Sequence, residues 1–160
     1  MKNREKIRSI AVGAVIASLY VVLTYLANLL GLASGAIQVR LSEILTVMPV
    51  FSFAAVPGLF IGCIIANILT GCALWDVVFG SLATLLGAIG TYFLRKHKLL
   101  AVLPPILANA VIVPFVLIFV YSLEGTYPYF FATVGIGEVI SCGVFGTILL
   151  KSLEKSRFEL

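Results

Sequence analysis

Long runs of apolar residues, separated by short segments that contain glycine, proline or charge, make up most of this 160-residue chain. Most of the runs have about 20 residues, the length that an α-helix needs to cross the hydrocarbon core of a bilayer. Glycine, proline and charged residues mark the turns between them. The pattern predicts six spanning helices, at residues 9–30, 41–53, 57–69, 74–94, 99–121 and 129–150.

The second and third predicted helices are short, with 13 residues each. At a rise of about 1.5 Å per residue, such a helix covers about two thirds of the bilayer core. Pro49 lies inside the second helix, and Val56-Pro57-Gly58 marks the turn between the two. We therefore expect these helices to be tilted, broken or partly re-entrant.

The composition excludes a soluble globule. Hydrophobic residues make up 61% of the chain and charged residues 11%, whereas a soluble domain has about 25% charged residues. The first apolar run, residues 9–32, is longer than the roughly 7–15 apolar residues of a cleaved signal peptide, so we interpret it as a retained helix. We expect an all-α membrane protein, with residues 1–160 forming one six-helix bundle and no separate soluble domain.

Basic residues predict the orientation of the bundle. Ten of the eleven Lys and Arg residues lie in the N-terminal segment, in residues 95–98 or in the C-terminal segment. Six helices put these three places on one face, whereas five or seven would separate the two basic termini. Because Lys and Arg are enriched in cytoplasmic loops, we expect both termini in the cytoplasm and Arg40 on the opposite face.

Acidic residues have the reverse distribution. Glu43, Asp76, Glu124 and Glu138 lie at the outer ends of the predicted helices or inside one. Ionisable groups at membrane depth are costly, and they usually pair with one another or line a polar cavity. This distribution favours an outward-facing pocket with acidic walls.

The densest polar cluster is Gln38-Val39-Arg40-Leu41-Ser42-Glu43, where the second helix begins. Arg40 and Glu43 are three residues apart, so they share a helical face and are able to pair. The cluster also fits a simple helix start, with Ser42 as a cap and Arg40 at the interface. Glu43 favours a binding site, because the residues that follow it are apolar.

A second cluster extends from Asn67 to Asp76 and includes Trp75. Trp75 is also typical of an interfacial anchor, and Asp76 of a helix cap. A planar aromatic side chain beside a carboxylate suits a flat heterocycle with N–H donors, because the ring stacks while the acid accepts hydrogen bonds. We therefore expect Asn67, Trp75 and Asp76 to bind substrate.

Two further polar residues lie inside predicted helices. Glu138 is too deep for an interfacial role, and the glycines around it allow a ligand or a neighbouring helix to approach closely. Asn109 needs a hydrogen-bond partner, either on another helix or on a ligand. We include both with Arg40 and Glu43 as candidate substrate-binding residues.

Small residues recur at intervals of four in the first helix, at Gly13 and Ala17 and at Ala14 and Ser18. Such spacing allows close helix packing in lipid. The contact is either inside the bundle or with another membrane protein.

Several kinds of chemistry have no support. The chain has no P-loop motif, one histidine in a basic loop, and three cysteines without a Cys-x-x-Cys pair. We expect no catalytic residues, no metal site, no cofactor and no nucleic-acid partner.

Residues 36–49, 56–67, 74–85, 104–110 and 135–138 resemble the queuosine-precursor transporter (QueT) family. That family is similar to the substrate-binding S components of energy-coupling-factor (ECF) transporters. The resemblance implies a six-helix protein of the bacterial cell membrane that works with a transmembrane T component and two ATPases. It also implies that Gly13, Ala14 and Ala17 contact the T component.

The ligand implied by the resemblance is a 7-deazaguanine: preQ0, preQ1 or queuine. Its guanine-like edge carries a ring N–H and an amine that a carboxylate is able to accept, and an aminomethyl group would be cationic. Three alternatives remain from the residues: an S component for another vitamin, a membrane-embedded enzyme, and a structural membrane protein.

The one-sided distribution of Lys and Arg yields a topological prediction. Single cysteines at Lys2, His97 and Ser156 should react with an impermeant reagent only from the cytoplasmic side. Cysteines at Gly35 and Thr126 should react only from outside. Labelling of the two termini from opposite sides would contradict six spans.

Overall fold

The computed structural model describes residues 2–32 and 38–156, which form an all-α protein without strands over those ranges. The segment 33–37, in the first predicted loop, lies outside the described residues. The six helices are α1 (Lys2–Leu29), α2 (Leu41–Val50), α3 (Ala55–Leu69), α4 (Leu74–Phe93), α5 (Leu103–Phe119) and α6 (Tyr127–Lys155). The six-helix all-α prediction is confirmed, whereas the orientation of the termini stays a prediction.

Helix lengths divide the bundle into two groups. Among the described residues, α1, α4 and α6 are long and apolar enough to cross a membrane, whereas α2, α3 and α5 have 10, 15 and 17 residues. The short second and third helices are therefore as expected. The fifth helix begins at Leu103 rather than Leu99, because residues 94–102 form hydrogen-bonded turns and Pro104 favours the first turn of a helix.

The short helix α2 is the centre of the structure. It is a 3₁₀ helix, whose rise of about 2.0 Å per residue lets ten residues cover about 20 Å. It packs against α1, α4 and α6. Seven of its ten residues are buried, and among them are the polar residues Ser42, Glu43 and Thr46.

Helix α6 changes geometry where it meets α2. Its segment Val139–Gly146 is a π-helix, a rare form that often occurs at functional sites. This wider segment begins directly after Glu138 and packs on α2. A Cβ atom at Gly146 would lie 3.0 Å from a methyl carbon of Val47, so a larger residue there would press on α2.

Glycine also permits the close contact between α1 and α3. A Cβ atom at Gly58 would lie 2.6 Å from the carbonyl oxygen of Gly13, and one at Gly62 would lie 3.0 Å from the Cα of Ala17. Gly13 and Ala17 are therefore half-buried at the contact with α3, whereas Ala14 is exposed. Packing inside the bundle is thus observed at Gly13 and Ala17, whereas contact with another membrane protein stays a prediction.

Successive helices run in opposite directions, so the end of one helix lies near the start of the next. Asn28 near the end of α1, Arg40 before α2, Thr70 after α3 and Asp76 at the start of α4 line a single cavity. We call this the acidic end of the bundle. Residues 2–8, 95–98 and 151–156 lie at the opposite end, where Lys98 pairs with Glu154, and we call this the basic end.

Candidate binding site at the acidic end

A polar cavity of about 250 Å³ opens at the acidic end. It lies between the last turns of α1, α3 and α5 and the first turns of α2 and α4. Three of the predicted substrate-binding residues, Arg40, Asn67 and Asp76, line it. Its other polar lining residues are Tyr20, Thr24, Asn28, Gln38, Ser42, Thr70 and Tyr121.

Asp76 is held in a defined position in the first turn of α4, where the helix dipole stabilises negative charge. The Tyr121 hydroxyl donates to Asp76 Oδ2 at 2.9 Å and accepts a hydrogen bond from the Ala73 backbone N–H at 3.2 Å. Asn67 approaches Asp76 because Gly80 has no side chain: a Cβ atom there would lie 3.3 Å from Asn67 Nδ2 and 3.4 Å from Asp76 Oδ1. The carboxylate and the amide therefore face the same part of the cavity.

Glu43 lies behind the cavity and is fully buried. The Tyr20 hydroxyl donates to Glu43 Oε1 at 2.5 Å, and Tyr20 itself lines the cavity. Glu43 Oε2 has no hydrogen-bond partner among the residues that the structure describes. An unpaired oxygen of this kind is costly in a buried site, so compensation must come from a nearby charge or a bound group.

Glu138 and Cys142 lie beside Glu43. One carboxyl oxygen of Glu43, one of Glu138 and the sulfur atom of Cys142 all lie within 4.8 Å of one another. The Cys142 thiol lies 3.4 Å from Glu138 Oε2 and 3.3 Å from the Glu43 carbonyl oxygen. The π segment of α6 and the 3₁₀ helix α2 thus bring two carboxyl groups together that are far apart in sequence.

Arg40 supplies the opposite charge. Its guanidinium interacts electrostatically with Asp76, Glu138 and Glu43. Burying a charge without a partner costs several kcal/mol, so the three acids and the one guanidinium depend on one another. Removing Arg40 would leave three carboxyl groups without this compensation.

The segment that carries Arg40 rests directly on α6. A Cβ atom at Gly137 would lie 2.1 Å from the carbonyl oxygen of Gln38, far inside any tolerated contact. Glycine at this position therefore allows residues 38–40 to form the cavity wall.

Two of the predicted substrate-binding residues, Trp75 and Asn109, lie neither in the wall of the cavity nor in the cluster of acids behind it. The Trp75 side chain is 58% exposed, stacks on Phe79 at 5.9 Å between ring centroids and lines an apolar groove with Phe115 and Phe119. Asn109 is fully buried in α5, where its Nδ2 donates to the Pro105 carbonyl oxygen at 3.2 Å. Its Oδ1 has no partner in the described part of the chain.

Sequence reasoning missed the polar face of α1. Tyr20, Thr24 and Asn28 line the cavity and are spaced four residues apart in an otherwise apolar helix. This spacing places them on one face, which is a signal that the sequence contains. Tyr121 was missed because its contact with Asp76 joins the segment after α5 to α4 across the cavity.

Comparison with known protein families shows to which family the chain belongs. A family model described as "QueT transporter" matches residues 10–155. The chain belongs to the QueT transporter family. This is a family of transporters and not of enzymes, so the expectation that the protein has no enzymatic activity is confirmed. The long apolar helices of the described residues agree with a membrane protein, as expected for this family.

A curated relative matches part of the chain. The queuosine precursor transporter QueT of Lactococcus lactis subsp. cremoris (strain MG1363) is 37% identical over 84 residues. The alignment covers 52% of this QueT family member and 48% of the relative, so the chain spans about half the length of the curated relative it matches. No significant match was found among solved structures.

The buried Tyr20–Glu43 hydrogen bond yields a prediction about stability. Tyr20→Phe removes the donor to Glu43 Oε1, so that neither carboxyl oxygen has a hydrogen-bond partner among the described residues. The variant should have a free energy of unfolding in mixed detergent micelles that is lower by about 1–3 kcal/mol. Tyr25→Phe on the same helix is the matched control, because that ring is 54% exposed and should tolerate the change. Equal stability of the two variants would show that the hydrogen bond does not support the buried acid.

Proposed function

We propose that this protein is the substrate-binding S component of an ECF-type importer and takes up a queuosine precursor. The observation that carries the proposal is the cavity at the acidic end, where Arg40, Asn67 and Asp76 converge in a member of the QueT family. The name of the Lactococcus relative supports the substrate class.

The polar groups of the cavity suit a 7-deazaguanine. The ring N–H and exocyclic amine of such a base are donors, and its ring carbonyl is an acceptor. The oxygen of Asn67 is available as an acceptor for these donors, Arg40 as a donor to the carbonyl, and Asp76 as an acceptor for a further donor group of the ligand. These three side chains come from different segments of the chain, so they are able to contact different edges of one flat ligand.

Size and stacking surfaces support a small bicyclic base. The cavity volume of about 250 Å³ is below the roughly 300–1,000 Å³ that drug-sized ligands occupy. This favours a deazaguanine over larger vitamins such as flavins or folates. Tyr20 and Tyr121 line the cavity, so we assign them the stacking role that sequence reasoning gave to Trp75.

Transport by this chain requires an energy source. Its sequence contains no P-loop, so we propose that a T component and two ATPase subunits drive uptake. An apolar groove of about 710 Å³ between α1 and α3 supports docking of the T component. Gly13, Ala14 and Ala17 all line this groove, which lies toward the basic end.

The acidic cavity predicts the behaviour of three amide variants. At least one of Glu43→Gln, Asp76→Asn and Glu138→Gln should weaken binding of at least one 7-deazaguanine by about tenfold to a hundredfold or more, because the site loses a charged acceptor or the support of a buried carboxyl group. Isothermal titration with queuine, preQ0 and preQ1 measures this on each folded variant. Glu124→Gln, in the exposed outer loop, should keep wild-type affinity. Wild-type affinity of all three amide variants would contradict the acidic cavity as the binding site.

The groove predicts a separation of uptake from binding. Ala14→Leu should impair uptake in cells that contain the energising subunits, while the Kd for the ligand stays within about twofold of wild type. Ala14 is the right position because it is exposed, whereas a leucine at Gly13 or Ala17 would push α3 away from α1. Val15→Ala, on the neighbouring exposed face, is the control. Unchanged uptake by Ala14→Leu would contradict docking at this groove.

A further inference from the structure

The acidic end of the protein carries an excess of negative charge. Outside the two terminal segments and residues 95–98, the sequence has one cation, Arg40, and four acids, Glu43, Asp76, Glu124 and Glu138. Three of these acids interact electrostatically with Arg40, which is able to neutralise only one of them. The low-dielectric walls of a cleft concentrate such a field, so the site attracts positively charged ligands.

Among the described residues, one of these carboxylates, that of Asp76, is accessible from the cavity. Asp76 is the only carboxylate among the described residues that line the cavity, whereas Glu43 and Glu138 are buried behind it. Asp76 Oδ2 accepts the hydrogen bond from Tyr121, and no hydrogen bond from the described part of the chain reaches Oδ1. One carboxylate oxygen therefore remains for a ligand donor.

We propose that the protein selects 7-deazaguanines with a protonated amine on the C7 substituent, and that Asp76 binds this ammonium group. The inference rests on the proposed function and adds a specificity-determining residue to it. A hydrogen bond between an ammonium and a carboxylate is stronger than one between neutral groups. A C7 nitrile presents its negative end instead, so it is disfavoured at the same position.

The test compares three ligands that share the bicyclic ring: 7-aminomethyl-7-deazaguanine, its N-acetyl derivative and 7-cyano-7-deazaguanine. The aminomethyl base is cationic at pH 7, because alkyl amines of this type titrate near the pKa of lysine, about 10. The other two are neutral. We expect the wild-type protein to bind the cationic ligand at least about tenfold more tightly than either neutral one.

Asp76→Asn should remove this preference. Its affinity for the aminomethyl base should fall by about tenfold to a hundredfold, while its affinity for the cyano base changes by less than about threefold. Glu124→Gln removes a charge from the same end without touching the cavity lining, and should keep the full preference. The three wild-type titrations decide the question even if Asp76→Asn does not fold.

The outcomes separate the inference from the proposed function. Equal wild-type affinity for the cationic and neutral bases would overturn the selection by charge and leave queuosine-precursor binding intact. An equal loss of both ligands in Asp76→Asn would overturn the ammonium subsite. Failure of the wild-type protein to bind any of the three bases would overturn the proposed function, and the inference with it.

Discussion

Three carboxyl groups and one guanidinium lie together at one end of a bundle that is otherwise almost entirely apolar. Their removal from water is costly, so each depends on the others and on precise positioning. Arg40 interacts with Asp76, Glu138 and Glu43, and these charges come from three different helices and the segment that precedes α2. The arrangement of these helices is what allows a compact set of charges to form beneath a small cavity.

The irregular parts of the fold all contribute to this arrangement. The 3₁₀ geometry of α2 buries Glu43 between α1 and α6, and the π segment of α6 begins at the residue after Glu138. Gly137 gives residues 38–40 their place against α6. In α1, Tyr20 binds Glu43 while its Cβ atom packs on Gly62, next to the contact between Gly62 and Ala17. The polar cavity and the small-residue groove therefore share one helix pair, α1 and α3.

Much of this fold follows from the sequence, because the bilayer imposes long apolar helices and short turns. The number of helices and the short second and third helices were predictable, and so were the acidic residues at one end. The 3₁₀ and π segments were not, since they arise from packing between α2 and α6 rather than from local preference. Adjacency in sequence was misleading for Trp75, because neighbouring residues in a helix point about 100° apart. Asp76 faces the cavity, and Trp75 therefore faces away from it. The polar face of α1 was visible as a four-residue spacing.

The account is tested most directly by identifying what the purified protein retains from a mixture. The protein is incubated with equal concentrations of 7-deazaguanines, guanine, riboflavin, folate and thiamine, washed, and denatured, and the released compounds are identified by mass spectrometry. The account predicts selective retention of 7-deazaguanines by the wild-type protein, and its loss in at least one of the variants Glu43→Gln, Asp76→Asn and Glu138→Gln. Retention of a flavin, folate or thiamine in their place, or of none of these compounds, would contradict it.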